Sequence, residues 1–350
     1  MLTYLFFLSS GLFLGWSLGA NDASNIFGTA VGTKMLRFSF AALIASIFII
    51  LGSVISGQNT ADTLNSLGVV NTLPAAFAVS LSSALAVVLM LKSGISVSIS
   101  QAIVGGIVGW NIYTDNPTDT ETLAQICASW IICPLISAGI AITLYWIIKR
   151  ILHHCKMHIL WQDWLVRTGM ILTTALGGYA LGANNMANVI GVFVDSCKFD
   201  PIQIGHYYTL NSVQILLLLG GIAASVGVFT YSQKAIKNVG KNLLAFSPAV
   251  AWIVILSQSL VLMIFSSNKL EQILTALHLP TLPAVPVSST QAVIGAIVGI
   301  GLAKGGKGIK WKLLIKLMSG WVASPLIAFI LSYISLSFME NVFRQPVFLP

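Results

Sequence analysis

Long apolar runs separated by short polar gaps dominate this sequence. A helix needs about 20 mostly apolar residues to cross the hydrocarbon core of a bilayer, and ten segments approach or exceed that length. Hydrophobic residues make up 56% of the chain and charged residues only 8%, against about 25% charged residues in soluble domains. The sequence therefore predicts an all-α polytopic membrane protein and excludes a soluble globular domain. The ten segments cover residues 3–33, 40–57, 73–92, 95–113, 124–148, 167–196, 204–230, 243–266, 285–303 and 312–337.

Lysine and arginine residues are concentrated in alternate gaps between these segments. If every segment crosses once, fifteen of the eighteen fall on one side of the membrane. Basic loops mark the cytoplasmic side, so we expect a multi-pass protein of the cell membrane with both termini extracytoplasmic. The net charge of +8 then reflects membrane topology, and we expect membrane lipid and no nucleic acid around the chain.

Three sequence patterns occur twice in the same order, which indicates an internal duplication. The first is Gly-Ala-Asn followed by further amides, the second is a hydroxyl run before a glycine-containing apolar helix, and the third is Trp-x-x-x-Pro. The copies are 19–25 and 182–188, 98–109 and 288–299, and 130–136 and 321–327. Five segments per half is an odd number, so the halves must have opposite orientations. The sequence thus predicts two inverted-topology repeats, in which transporters bind substrate near the midplane.

The predicted first repeat covers residues 1–148 and the second covers residues 167–340. Between them, residues 149–166 are basic, aromatic and amphipathic, so we expect a helix on the cytoplasmic membrane surface. A metal site is the alternative interpretation of this linker, because His side chains at i and i+4 share a helix face. Its potential ligands are His153, His154, Cys155 and His158.

Asp22 is the one acidic residue in the middle of a predicted span. Burying a carboxylate at that depth costs several kcal/mol unless it is paired, and no Lys or Arg lies in the middle of any segment. We therefore expect a mobile cation or a proton as its partner; a helix-capping role is the alternative.

Five asparagines lie near matched positions of the two Gly-Ala-Asn motifs. Both surrounding segments are too long for one plain crossing, so we expect each helix to be broken at its motif, with unwound backbone lining a cavity. Amide side chains there can bind ions; hydrogen bonding between helices is the alternative. The five are Asn21, Asn25, Asn184, Asn185 and Asn188.

The hydroxyl runs Ser96–Gln101 and Ser288–Gln291 each stand directly before an apolar helix. Ser and Thr cap helix starts, and the free N–H groups and positive dipole end there form an anion site. Two converging starts can hold a tetrahedral oxyanion without arginine, although the hydroxyls alternatively only bond back to the preceding turn. Both segments are short and are either full spans or re-entrant hairpins. The glycines that follow predict close helix packing: Gly105, Gly109, Gly295 and Gly299.

An oxyanion beside Asp22 would place like charges together in a dry site, which is costly. Cations must therefore accompany the anion, which predicts symport. Alternatives are a permease for sulfate or another tetrahedral oxyanion, a proton-coupled phosphate symporter and, in a different class, an anion channel. The sequence contains no buried acid–base pair or catalytic His/Cys cluster, so we expect no enzyme and no cofactor besides the coupling ion.

The stretch Gly19–Lys34 strongly resembles the signature of the inorganic phosphate transporter family, the secondary phosphate permeases, and the paired patterns resemble that family's inverted repeats. The resemblance implies cation-coupled uptake of inorganic phosphate by a homodimer. It implies coupling-ion positions at Asn21, Asp22, Asn184 and Asn185. It implies phosphate-binding positions at Asn25, Asn188, Ser98, Ser100, Gln101, Ser288, Ser289, Thr290 and Gln291.

Two departures from the family pattern bear on coupling. The family's second signature commonly carries an acid where this chain has Asn185, so one cation site is expected to be weaker or absent. The hydroxyl runs of the family often end in His, where this chain has Gln101 and Gln291. Because glutamine does not titrate, we favour sodium over protons as the coupling ion.

Overall fold

A computed structural model of the chain describes residues 2–154, 158–204, 208–233, 236, 247–278, 284–306 and 309–349. Nearly all regular structure in these residues is helical. The elements are α1 (Leu2–Gly32), α2 (Phe38–Ser56), α3 (Gln58–Leu67), α4 (Leu73–Lys92), α5 (Ile99–Tyr113), α6 (Thr120–His154), α7 (Ile159–Asn185), α8 (Ala187–Ile190), a 3-10 turn (Gly191–Phe193), β1 (Ile202–Ile204), β2 (Tyr208–Leu210), α9 (Ser212–Thr230), α10 (Pro248–Ile264), α11 (Asn268–Ala276), α12 (Ser289–Ala303) and α13 (Trp311–Asn341).

The predicted all-α polytopic membrane fold is confirmed. Among the described residues, six helices are long and apolar enough to cross a bilayer, and the pair α10–α11, bent by 70°, forms a seventh candidate span. The two short predicted segments, 95–113 and 285–303, each consist of an extended stretch followed by a helix of 15 residues. Sequence reasoning missed the short helices α3 and α11, since neither is apolar enough to be recognised as a span.

The helices pack in pairs that occur twice. Helix α1 packs on α9, and the corresponding pair is α7 on α2. Helix α5 packs on α13, and the corresponding pair is α12 on α6. The helices approach closely at Gly105 and Gly295, because a Cβ at either position would overlap the backbone of Pro325 or Pro134, respectively. The predicted close packing at these glycines is therefore confirmed, and equivalent residues of the two halves make equivalent contacts.

The first motif does not interrupt its helix, so the predicted break in segment 3–33 is wrong. Helix α1 is continuous through residues 19–25. The second motif does break its helix, because α7 ends at Asn185 and the chain continues as α8 and a 3-10 turn. A side chain lies at the break: Thr60 Oγ1 donates to the Ala183 carbonyl at 3.0 Å, the acceptor that a continuous helix would offer to the N–H four residues later.

Two other predicted boundaries differ from the structure. Segment 204–230 begins with a short antiparallel hairpin, in which Ile202 pairs with Leu210, and its helix starts only at Ser212. In the linker 149–166, residues up to His154 extend α6 and residues from 159 belong to α7, so the described residues form no separate surface helix. The potential ligand Cys155 and the side chain of His153 lie outside the described residues.

Candidate functional site

Four helix segments meet around one buried polar cluster. The first motif lies inside α1, the second at the end of α7 and in α8, and the hydroxyl runs form the starts of α5 and α12. All thirteen predicted site residues belong to this cluster, and each is at most 3% exposed. They are Asn21, Asp22, Asn25, Ser98, Ser100, Gln101, Asn184, Asn185, Asn188, Ser288, Ser289, Thr290 and Gln291.

In the first motif, residue 25 neighbours residues 21 and 22 on the surface of α1, because it follows them by four and three positions. Asn21 Nδ2 donates to Asp22 Oδ1 at 2.6 Å and to the Val97 carbonyl at 2.8 Å. Asn25 Nδ2 donates to Ser289 Oγ at 3.1 Å and, more distantly, to Asp22 Oδ1 at 3.5 Å. The motif therefore contacts both hydroxyl runs, that of α5 through its residue 21 and that of α12 through its residue 25.

The second motif repeats this arrangement with the roles of the two runs exchanged. Asn184 Nδ2 donates to the Val285 carbonyl at 3.1 Å, and Asn184 Oδ1 accepts from Val287 N–H at 2.8 Å. Asn188 Nδ2 donates to Ser100 Oγ at 2.9 Å and to Asn185 Oδ1 at 3.3 Å. The second motif thus contacts the extended stretch before α12 through its first asparagine and the start of α5 through its last.

The starts of α5 and α12 cross each other inside the cluster. Ser100 Oγ donates to the Val287 carbonyl at 3.2 Å, and Thr290 Oγ1 donates to the Val97 carbonyl at 3.4 Å. The residues before the helices are N-caps: Ser98 and Ser288 side chains accept from the N–H groups three residues later. The first N–H groups of each helix have no acceptor within their own helix, so two positive dipole ends converge here.

Several buried atoms of the cluster have no hydrogen-bond partner within the described part of the chain. They are Gln101 Oε1, Gln291 Oε1, Asn188 Oδ1 and Asn185 Nδ2. Native proteins seldom leave buried polar groups unpaired, and such a group points to an unaccounted water, ion or ligand. Three oxygen acceptors and one amide donor fit a site that binds hard cations through oxygen and an anion through N–H and O–H groups.

The cluster has one formal charge, on Asp22. Its carboxylate accepts from Asn21 and Asn25 and lies beside the Ser289 hydroxyl. Within the described residues the one ion pair joins Arg167 and Asp163, which are about half exposed. The carboxylate is therefore solvated by neutral donors alone.

Sequence reasoning missed part of the cluster. The Val97, Val285 and Val287 backbone groups bind motif asparagines or hydroxyls, and Thr60 donates to Ala183 beside the second motif. Backbone groups have no sequence signal, and Thr60 lies in a polar segment that resembled a loop. Ser96, whose Oγ donates to Asn21 Oδ1 at 2.9 Å, lies in a recognised hydroxyl run, but its role had no separate signal.

Comparison with known proteins gives matches along nearly the whole chain. A protein of Methanocaldococcus jannaschii named "putative phosphate permease" is 29% identical over 322 residues, covering 92% of this chain and 93% of that protein. A similarly named Pyrococcus abyssi protein is 22% identical over 410 residues, covering 93% and 95%.

A solved structure, that of "The sodium-dependent phosphate transporter", shares the fold. The TM-score is 0.77 at 20% sequence identity, covering 98% of this chain and 100% of that chain. The sequence profile of the phosphate transporter family matches residues 18–271 and 270–348. The chain therefore belongs to the phosphate transporter family, which is a family of transporters and not of enzymes.

Proposed function

We propose that this phosphate permease takes up inorganic phosphate by symport with sodium, using alternating access around the buried cluster. In this proposal Asn21, Asp22, Asn184 and Asn185 hold sodium. Phosphate is held by the helix starts and the last motif asparagines, namely Asn25, Asn188, Ser98, Ser100, Gln101, Ser288, Ser289, Thr290 and Gln291.

The observation that carries the proposal is a buried carboxylate without a cationic partner. Asp22 is 3% exposed, and the groups that it contacts among the described residues are neutral amides and a hydroxyl. Phosphate brings a further one to two negative charges, which dipoles alone compensate poorly in a medium of low dielectric constant. Small cations with oxygen ligands remove this imbalance, and unpaired amide oxygens are available in the same cluster.

The anion half of the proposal rests on the crossed helix starts. Free N–H groups and hydroxyls at a helix N-terminus bind phosphate without a charged side chain. The unpaired Asn185 Nδ2 adds a donor within the same cluster, and the hydroxyls of Ser100, Ser289 and Thr290 can rotate to add theirs. Neutral donors also permit release, because they bind a divalent anion less tightly than arginines would.

Alternating access is supported by the duplicated packing. The cluster lies where two equivalent sets of helices meet, so a movement of one set against the other would open it toward either side of the membrane. We also propose that the two sets are inverted repeats, that both termini are extracytoplasmic in the cell membrane, and that the chain is a homodimer. A protein of the same fold is named a sodium-dependent phosphate transporter, which favours sodium as the coupling ion.

Uptake of labelled phosphate by purified protein in liposomes tests the proposal. We expect uptake to follow an inward sodium gradient at constant pH and to be slight under a proton gradient alone. Uptake that ignores both gradients would contradict symport and favour a channel. Uptake driven by protons alone would identify a proton-coupled symporter.

Competition with sulfate tests the substrate. We expect unlabelled phosphate to suppress labelled phosphate uptake, and an excess of sulfate to have little effect. If sulfate competes better than phosphate, the chain is a sulfate permease with the same architecture.

A further inference from the structure

We infer that Thr60 and Thr63 of α3 are positioning residues for the second motif's half of the transport site. Neither residue is itself a proposed ligand position. Both hold backbone segments that carry such positions, and the inference therefore rests on the proposed function.

Thr60 acts on the break in α7. Its Oγ1 has a single proton, which faces the Ala183 carbonyl at 3.0 Å and, at the longer distance of 3.2 Å, the Gly57 carbonyl, and the residue is fully buried. With the Ala183 carbonyl held by a hydroxyl, α7 ends two residues later and the chain turns into α8. The directions of the Asn185 and Asn188 side chains depend on that turn.

Thr63 acts on the extended stretch before α12. Its Oγ1 donates to the Ala284 carbonyl at 2.8 Å. The next residue, Val285, gives its carbonyl to Asn184 Nδ2 at 3.1 Å. Thr60 and Thr63 lie three residues apart on one face of α3. The helix is therefore hydrogen-bonded to both segments that meet in the contact between Asn184 and Val285, namely 183–184 and 284–285.

The first motif lacks such a support. Ala20 is the residue equivalent to Ala183, and no hydroxyl in the described part of the chain donates to its carbonyl; α1 continues as a helix through the motif. The site thus combines a half held by a continuous helix with a half whose geometry depends on two threonines of a separate short helix. Loss of those hydroxyls should weaken ligand binding without removing any ligand group.

The test compares isosteric and conservative variants in the full chain. Thr60→Val and Thr63→Val remove a hydroxyl and keep the shape, whereas Thr60→Ser retains the hydroxyl. Thr173→Val is the matched control, because Thr173 is also buried but its Oγ1 donates within its own helix, to the Gly169 carbonyl at 2.9 Å. Phosphate KM, half-saturating sodium and maximal rate are measured by liposome uptake, and folding is checked by the thermal midpoint of purified protein.

We expect Thr60→Val to raise phosphate KM and half-saturating sodium about five- to tenfold. We expect a smaller rise for Thr63→Val, and Thr60→Ser and Thr173→Val to remain within about twofold of the unchanged protein. A phosphate KM for Thr60→Val that equals that of Thr173→Val would overturn the inference. So would equal losses in Thr60→Ser and Thr60→Val, because packing would then matter and the hydroxyl would not.

Two outcomes keep this test separate from the proposed function. If the unchanged protein takes up phosphate without sodium, sodium symport is wrong, but the ratio of phosphate KM values still decides the role of Thr60. If Thr60→Val does not fold, the same comparison is made with Thr63→Val, and a phosphate KM unchanged from that of Thr173→Val contradicts the inference.

Discussion

The two Gly-Ala-Asn motifs share sequence but differ in charge and in backbone. The first carries Asp22 on a continuous helix, and its carboxylate accepts hydrogen bonds from two asparagines of its own motif. The second carries Asn185 at a helix break, and its amide oxygen accepts from Ser100 at 3.4 Å and from Asn188 at 3.3 Å. The same fold position therefore holds a carboxyl group in one half and an amide in the other.

The two copies of the motif therefore resemble each other more closely in the positions of their contacts than in the charge of their side chains. Each motif contacts the extended stretch before one of the helices α5 and α12 and the start of the other, at similar distances, although only the first motif provides a carboxyl group. A carboxylate attracts a cation at every stage of transport, whereas an amide only completes a coordination shell that the anion and other oxygen ligands make favourable. We therefore expect the first motif to dominate coupling.

The largest expected effect comes from removing the charge. Asp22→Asn should lower sodium-driven phosphate uptake at least about 100-fold, equivalent to roughly 2.7 kcal/mol, because the coupling cation loses its counter-charge. The measurement is initial uptake rate in liposomes, with circular dichroism and a thermal scan to verify folding. Asp195→Asn is the control, since Asp195 is exposed and bonded to Asn65. Unimpaired uptake in Asp22→Asn would contradict the expected difference between the motifs, and an unfolded product would indicate a structural role for Asp22.

Filling the close contact between helices should have the next largest effect, and an equal one in the two halves. Gly105→Ala and Gly295→Ala each force a methyl group onto the backbone of a facing proline, so we expect each to lower stability by about 1–3 kcal/mol. Gly139→Ala is the control, because nothing lies within 4 Å of an added Cβ there. The measurement is the thermal midpoint of each of the three purified variants. Clearly unequal losses of stability in Gly105→Ala and Gly295→Ala would show that the halves are not packed equivalently.

Making the second motif resemble the first should change the sodium dependence. Asn185→Asp adds a second carboxylate to the cluster, and the repulsion from Asp22 must be offset by a further cation. We expect uptake about tenfold lower at low sodium, recovery at high sodium, and a steeper sodium dependence. The full sodium titration of uptake, compared with that of Asn185→Ala, checks this. An unchanged sodium curve would mean that position 185 faces no cation.

The smallest expected effect is at the two glutamines with unpaired oxygens. Gln101→Leu and Gln291→Leu keep the side-chain bulk and remove an acceptor, so each should raise phosphate KM or half-saturating sodium about fivefold. Each variant relieves an unpaired buried oxygen, so we expect thermal stability of the ligand-free protein to stay level or rise. Gln125→Leu, at the margin of a separate polar cleft of about 400 Å³, is the control. If all three variants have the phosphate KM and half-saturating sodium of the unchanged protein, neither Gln101 nor Gln291 binds a ligand.

Much of the fold and of the site could be predicted from the sequence, because the bilayer imposes strong rules on composition. The bounds of α4 coincide with the predicted segment, since an apolar run of that length has one stable form in lipid. The assignment of the hydroxyl runs to helix starts followed from capping chemistry, and the structure has Ser98 and Ser288 as the caps. Grouping the thirteen residues followed from duplication and the resemblance together.

Other features of the structure could not be predicted, because they depend on contacts with residues that are distant in the sequence. Both motifs looked equally able to break a helix, yet α1 stays helical and α7 does not. At the break, the Ala183 carbonyl accepts from Thr60, which is 123 residues away in the chain. Likewise, the partners of Asn21 and Asn184 include carbonyl and N–H groups of valines, and nearly every residue has those groups.

The amino-acid sequence by itself determined that this chain is a membrane protein, that it contains two related halves, and that one carboxylate must be compensated within lipid. These follow from hydropathy, repeats and the cost of burying charge, which act locally. Only the tertiary structure decided that the starts of α5 and α12 cross, that each motif contacts segments of both, and that threonines of α3 donate to the Ala183 and Ala284 carbonyls. Those features depend on contacts between distant segments, and packing selects them only once the whole chain has folded.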